Sequence, residues 1–247
     1  MSDPAGSVTD VTGHLTATTG LRAAAAGDPA ANPWLSWEYV QRNWGDISRA
    51  LEQHAGLTVQ AVLLACLVAL PLGMVAHLRP RLAAPVLGAT GVLYTIPSLA
   101  LFTVLVPWTG IGRTPVLIGL VLYALLVLVR NVLVGLAGVD EDVRDAARGL
   151  GYGRLRLLLT VELPNALPAI VTGIRLATVT TVALVTVGVV VGYGGLGNLM
   201  FRGFRNNKYH AEILTATLLC LALALVLDLV LWLIGRAVTP WARGREA

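Results

Sequence analysis

Five stretches, near 56–77, 84–107, 114–138, 167–191 and 212–235, each hold roughly twenty or more mostly apolar residues. In helical form such a run covers the ~30 Å hydrocarbon core of a bilayer. Backbone polar groups in lipid must be satisfied within the segment itself, so helix is the form these runs can take. The chain therefore reads as an all-α integral membrane protein with five transmembrane helices. Composition agrees. Apolar residues make up 56% and charged residues 13%, where soluble domains carry about a quarter charged. No polar stretch is long enough to form a separate soluble domain.

The flanking segments set topology. Residues 1–33 are rich in Ala, Gly, Thr, Asp and Pro, lack periodicity, and read as a disordered tail. They carry Asp3 and no apolar core, unlike a secretory signal. Within 34–55, Trp34, Trp37, Val40, Trp44, Ile47 and Leu51 recur at helical steps, with Tyr39 off the stripe. This predicts an amphipathic lead-in helix, either with its tryptophans at headgroup level or packed on the first span. Arg79 and Arg81, then Arg144, Arg148, Arg154 and Arg156, then Arg236, Arg243 and Arg245 follow spans 1, 3 and 5. Arg113 follows span 2, and Arg202, Arg205 and Lys208 follow span 4. The excess places the first set in the cytoplasm, the N-terminus outside, and the C-terminus with its 241–247 tail inside. The net charge of +4 is thus topological and is no nucleic-acid footprint.

The most informative segment is polar. Residues 140–164, between spans 3 and 4, begin with Asp140, Glu141 and Asp142 and move to arginines, the order that suits a helix dipole. The glycines at 149, 151 and 153 break that helix. Arg154 to Val161 forms a second short helix, with Leu155, Leu158, Leu159 and Val161 available to bury. Leu163 and Pro164 end it, and Pro168 opens span 4. Either a helix–turn–helix on the cytoplasmic face or an ordinary loop fits these residues.

Spacing and identity in this segment resemble the cytoplasmic loop of binding-protein-dependent ABC importer permeases, whose pattern is Glu-Ala-Ala, three residues, Gly, nine residues, Ile-x-Leu-Pro. Here Asp145, Ala146, Ala147, Gly151, Val161, Leu163 and Pro164 occupy those positions, with Asp for Glu and Val for Ile. The run Tyr94 to Phe102 in span 2, the Trp-rich lead-in, and Gly192 to Gly197 resemble the osmoprotectant branch, which imports glycine betaine, choline, carnitine or related quaternary amines. Methionine-type and other short five-span importers share the architecture. The resemblance implies a type I importer permease over 56–240. Asp145, Ala146, Ala147, Gly151, Leu163 and Pro164 would then form a coupling-helix loop docked on a cytoplasmic ATPase. Arg148, Arg154 and Arg156 are further candidates to pair with acids on that partner. It also implies an external binding protein, a second permease copy (identical or paralogous), and a bacterial inner membrane.

Cofactor chemistry is not legible on this chain. Lys208 is the only lysine and follows two asparagines, so no phosphate-binding loop can be drawn. ATP and Mg²⁺ would belong to the partner ATPase. Gly192-x-Gly194-x-x-Gly197 follows a membrane helix, not a strand, which excludes a dinucleotide site. With Gly195 it reads as a flexible outer turn, serving as an outer gate, a binding-protein dock, or a plain loop. Cys66 and Cys220 lie in apolar runs, no metal-ligand spacing occurs, and no catalytic set can be assembled. Tyr94, Thr95, Pro97 and Ser98 predict a kinked, pore-lining stretch of span 2. The threonines of span 4 suit helix packing. Three charges lie inside spans: Arg130, Arg175 and Asp228. Each is about eight residues, hence ~12 Å, from the cytoplasmic end. Asp228 is expected to pair with Arg175 or Arg130. An ion-gradient-driven secondary transporter is the alternative class. It would place ionisable groups near the midplane instead.

Overall fold

The computed structural model describes residues 32–241, and among these the ordered elements are all helical. The tail readings for 1–33 and 241–247 fall outside the described residues, except for Asn32, Pro33 and Trp241. Asn32 is tied down. Its side chain accepts from the His210 backbone N–H at 2.8 Å and donates to the Lys208 carbonyl at 3.0 Å.

The lead-in is two helices. Ser36 caps α1 (Trp37–Arg42) by accepting from the Tyr39 N–H at 3.1 Å. Asn43 interrupts the helix, and α2 (Trp44–Leu78) runs on through the first span for 35 residues, about 52 Å. The interruption resets the helical phase. Tyr39, Ile47, Ala50 and His54 are therefore buried, whereas Trp34, Trp37 and Trp44 stay exposed. This corrects the predicted stripe: Tyr39 lies on the buried face, Trp34 stacks on the His210 ring with centroids 4.1 Å apart, and Trp37 and Trp44 are exposed, as suits a headgroup contact.

The second span is broken. Helices α3 (Pro80–Thr95) and α4 (Ser98–Thr109) meet at a 95° bend. Pro97 lacks an N–H and forces the preceding residue out of helical geometry, and Ile96 is accordingly extended, at φ −67° and ψ 127°. The predicted kink is a full break: four helices are long and apolar enough to cross singly, and the bent pair counts as a fifth span only if taken as one.

Helix α5 (Arg113–Ala137) packs against both α2 and α8 and carries Val116, Leu120, Leu128, Val129, Val132 and Leu136 into the core. After it come α6 (Glu141–Gly149), α7 (Arg154–Leu157), a π-helical turn (Leu158–Glu162) and α8 (Leu163–Val187). A 3-10 turn (Gly188–Val191), α9 (Leu196–Arg205) and α10 (His210–Val238) complete the chain. Small residues set the α5–α8 spacing. Gly135 faces Ala166 and Ala169, and Gly173 lies against Asn131, so larger side chains there would push the helices apart. Helix α10 buries little beyond Ala211, Glu212, Ala216 and Gly235; Leu219 packs on the core, whereas Leu218, Leu221, Leu225, Leu229 and Leu233 are exposed.

Candidate functional site

The polar loop 140–164 is built from its caps. Asp140 accepts from the Asp142 N–H at 3.0 Å to open α6. At the other end the Tyr152 N–H reaches the Ala147 carbonyl and the Gly151 N–H reaches that of Arg148, at 3.1 and 2.9 Å. This paired closure needs a left-handed residue, and Gly151 supplies it at φ +82°. On the exposed face, Arg148 pairs with Asp145 and Glu141, and hydrogen bonds from Arg144 and Arg148 hold the Glu141 carboxyl below the usual carboxylate range. Asp145 and Ala146 are exposed, Ala147 turns inward, and Leu150 at the tip is 78% exposed. A large apolar side chain beside polar neighbours outside the bilayer suits a protein contact. Gly151→Asn, which tolerates a left-handed backbone, should preserve the loop. Gly151→Val should lower thermal stability of the purified protein by about 1–3 kcal/mol and weaken any partner docked there. Equal melting of the two variants would refute the cap.

The second half of the loop departs from expectation. Leu163 and Pro164 do not end a helix. The chain is continuous helix from Arg154 to Val191, 38 residues, about 57 Å. The π-helical turn absorbs Pro164, whose missing N–H and ring would break a tighter ladder. Asn165 donates its side-chain amide to the Val161 carbonyl and Thr172 its hydroxyl to that of Pro168, each one turn back along the same helix. Leu157 and Leu158 are buried, whereas Leu155 and Leu159 are exposed. Arg156 lies 4.2 Å from the Tyr152 ring centroid.

An anchor that sequence reasoning passed over holds this unit to the bundle. Glu162 is only 5% exposed. One carboxylate oxygen lies 3.0 Å from Arg144 Nε, and the other 3.1 Å from His77 Nε2 at the end of α2. Arg144 also meets Glu141 at 2.8 Å and donates to the Leu136 carbonyl at the end of α5 at 2.7 Å. One buried carboxylate thus joins α6, the π-helical turn and span 1, and its partner Arg144 adds the end of span 3. The available signal was that Glu162 is the sole acid between Asp145 and Glu212.

Within the bundle, Tyr94, Thr95, Pro97 and Ser98 come together at the break in span 2. They line a cavity of about 410 Å³ with Tyr123, Thr180, Ala183 and Leu184. Tyr123, the one aromatic residue of span 3, donates its hydroxyl to the Ile96 carbonyl. Deeper along α8, Arg175 grips Asp228 of α10 with two hydrogen bonds, 2.8 and 2.7 Å. Arg130 is exposed and makes no ion pair among the described residues.

The glycines of the turn after span 4 are closely packed. Gly192 and Gly195 have φ of +80° and +54°, and a side chain at Gly194, Gly195 or Gly197 would strike the Val189 backbone, His54 or the Thr186 backbone. Here α9 folds tightly over the end of α8. His54 is fully buried in α2. Its Nε2 lies 2.9 Å from the Val182 carbonyl, and its Nδ1 accepts from the Leu196 N–H at 3.2 Å. That set requires the Nε2–H tautomer and fastens α2, α8 and α9 together. His54→Ala should destabilise the protein by about 1–3 kcal/mol through the orphaned Leu196 N–H, read as thermal loss of monodisperse protein. Unchanged melting would exclude the role. Arg202 extends the same fastening, pairing with Glu212 and with Asp46.

The family described as "Binding-protein-dependent transport system inner membrane component" matches residues 61–244. The chain belongs to that family. As an inner membrane component it is 36% identical over 205 residues to the carnitine transport permease protein OpuCB of Listeria monocytogenes, covering 83% of this chain and 93% of that one. The osmoprotectant import permease protein OsmW of Salmonella typhimurium is 38% identical, with 82% and 96% covered. The choline transport system permease protein OpuBB of Bacillus subtilis is 33% identical, with 82% and 93% covered. Among solved structures, inward-facing MetNI methionine ABC transporter contains a chain of the same fold. It has a TM-score of 0.73 at 23% identity and covers 78% of this chain and 96% of its own. The multi-pass permease fold expected from the sequence is therefore the fold of this protein, and the family places it in the inner membrane.

Proposed function

We propose that this permease carries quaternary-amine osmoprotectants (glycine betaine, choline or carnitine) inward, driven by a cytoplasmic ATPase and supplied by an external binding protein. One observation carries the coupling. The exposed segment around Asp145, Ala146 and Leu150 is rigidly joined, through Glu162, to the bundle, and the same loop continues as unbroken helix into span 4. A push on α6 moves α5 and the foot of α2 with it, and the 38-residue helix carries displacement toward the outer seam at His54 and Gly195. Alternating access follows if ATP-driven closure of two ATPase subunits brings two permease copies together or apart at their outer ends. ATP and Mg²⁺ act on the partner. The excess of arginines after spans 1, 3 and 5 supports an N-terminus outside and a C-terminus in the cytoplasm. Relatives named for carnitine, choline and osmoprotectants share 33–38% identity with this chain, against 23% for the methionine system, which supports the substrate class.

The test is reconstitution of the permease with candidate ATPase and binding-protein subunits in proteoliposomes. Uptake of radiolabelled choline or glycine betaine should require ATP inside the ATPase-bearing compartment and the loaded binding protein outside. Uptake by the permease alone under an imposed ion gradient would replace this reading with a secondary transporter.

A further inference from the structure

The cavity at the broken second span has an unusual lining for a path through a membrane. It contains two aromatic rings, several hydroxyls and the free backbone of the break, and no acid, base or histidine. Tyr94 is 44% exposed and presents its ring to the space, while Tyr123 is buried behind it. The ring centroids lie 5.7 Å apart at 76°, an edge-to-face contact. Tyr123 is pinned in turn by its hydroxyl on the Ile96 carbonyl, at the residue that Pro97 forces out of helix. The Thr95 and Thr180 hydroxyls donate back to their own helices, at the carbonyls of Val92 and Leu176. Their protons are thereby used, leaving oxygen lone pairs as the polar groups they offer.

This chemistry discriminates among cations. A metal ion or a primary ammonium needs carboxylates or a full set of acceptors to replace its water. A quaternary ammonium has no N–H to satisfy and is attracted to the face of an aromatic ring within about 6 Å. We infer that the Tyr94 ring is a transient seat for the trimethylammonium group during passage, with Tyr123 a positioning residue that sets the ring and the break together. This rests on the proposed substrate class. It adds that the permease itself, and not only the binding protein, reads the quaternary head.

The experiment uses the reconstituted transporter with radiolabelled choline, measuring uptake and ATP hydrolysis stimulated by the loaded binding protein. Tyr94→Phe keeps the π face and should transport within about twofold of the unaltered protein, whereas Tyr94→Leu should lose about fivefold or more in maximal uptake rate. Stimulated hydrolysis, which reports assembly and docking, should persist in both. Tyr123→Phe removes only the hydroxyl, and should lower maximal rate while leaving the apparent KM, set at the binding protein, unmoved. Should Tyr94→Leu fail to assemble, progressively fluorinated phenylalanines at position 94 serve instead, and uptake should fall stepwise as the ring's π density is withdrawn. Full choline uptake by Tyr94→Leu, equal losses in the Phe and Leu variants, or no trend across the fluorinated series would each overturn the inference. Absence of quaternary-amine uptake by the unaltered transporter would instead overturn the substrate class on which it rests.

Discussion

Replacing Glu162 with alanine is expected to uncouple ATP hydrolysis from uptake. The carboxylate is buried and lies against two partners from different parts of the bundle, in ion-pair contact with Arg144 at 3.0 Å and beside His77 at 3.1 Å. Removing it leaves Arg144 Nε and His77 without their shared carboxylate inside a packed joint, although Glu141 and the Leu136 carbonyl still hold the rest of the guanidinium, and one-sided loss of a buried pair costs at most about 3–5 kcal/mol. A tenfold loss of coupling needs only about 1.4 kcal/mol of that. Helix α6 keeps its own caps and its surface pairs of Arg148 with Glu141 and Asp145, so the docking face survives and hydrolysis continues. What is lost is the link that ties α6 and span 1 to the π-helical turn at the foot of span 4, while Arg144 still holds α6 to the end of span 3. Uptake per ATP hydrolysed should therefore fall about tenfold or more, with hydrolysis itself little changed. Glu162→Gln, which keeps shape and one acceptor, should fall between. Removing both partners, as Arg144→Met with Glu162→Leu, should recover part of the loss because no unpaired charge remains. An unchanged uptake-to-hydrolysis ratio in Glu162→Ala would show that force does not pass through this joint.

The features legible in the sequence are those whose cause is local. Apolar runs long enough to cross a bilayer are visible as composition. The order of acids and arginines in α6 and the demand for glycine at 151 can be read within ten residues, and the coordinates show that glycine at φ +82°. Prolines were harder, because their effect depends on what surrounds them. Pro164 reads as a stop but sits inside continuous helix, since a π-helical turn just before it widens the ladder. Pro97 reads as a bend but produces a break, since Ile96 takes extended geometry and Tyr123 holds its carbonyl. The joints were least legible. His77 meets Glu162 across 85 residues and His54 meets Leu196 across 142. Neither histidine has any neighbour in sequence that announces its partner. A charge inside an apolar run is the exception, because lipid itself demands a counter-charge. That argument narrowed the partner of Asp228 to two arginines before any geometry was known, and helix packing chose Arg175.

Neutralising either member of the Arg175–Asp228 pair is expected to cost more than neutralising both. Each side chain is about 30% exposed at the surface of the single chain, where α10 packs against α8. In a membrane that exposure is to hydrocarbon or to another copy, so a lone charge there is disfavoured by about 2.5–3.5 kcal/mol on insertion scales. Both hydrogen bonds run through the guanidinium fork, Nε to one carboxylate oxygen and NH2 to the other, a geometry that lysine cannot reproduce. Arg175→Gln leaves an anion and Asp228→Asn leaves a cation, and each single variant should lower the temperature at which detergent-solubilised protein loses monodispersity. The double variant replaces an ion pair with two neutral amides in hydrogen-bonding reach, and should lie closer to the unaltered protein than the sum of the singles predicts. The coupling energy should be on the order of 1–3 kcal/mol. Arg175→Lys should behave like a single loss of geometry, intermediate in stability. Additive losses would mean that the two side chains contribute independently. A normal melt with lost uptake in all three variants would shift the pair's role from holding α8 against α10 to the transport movement itself.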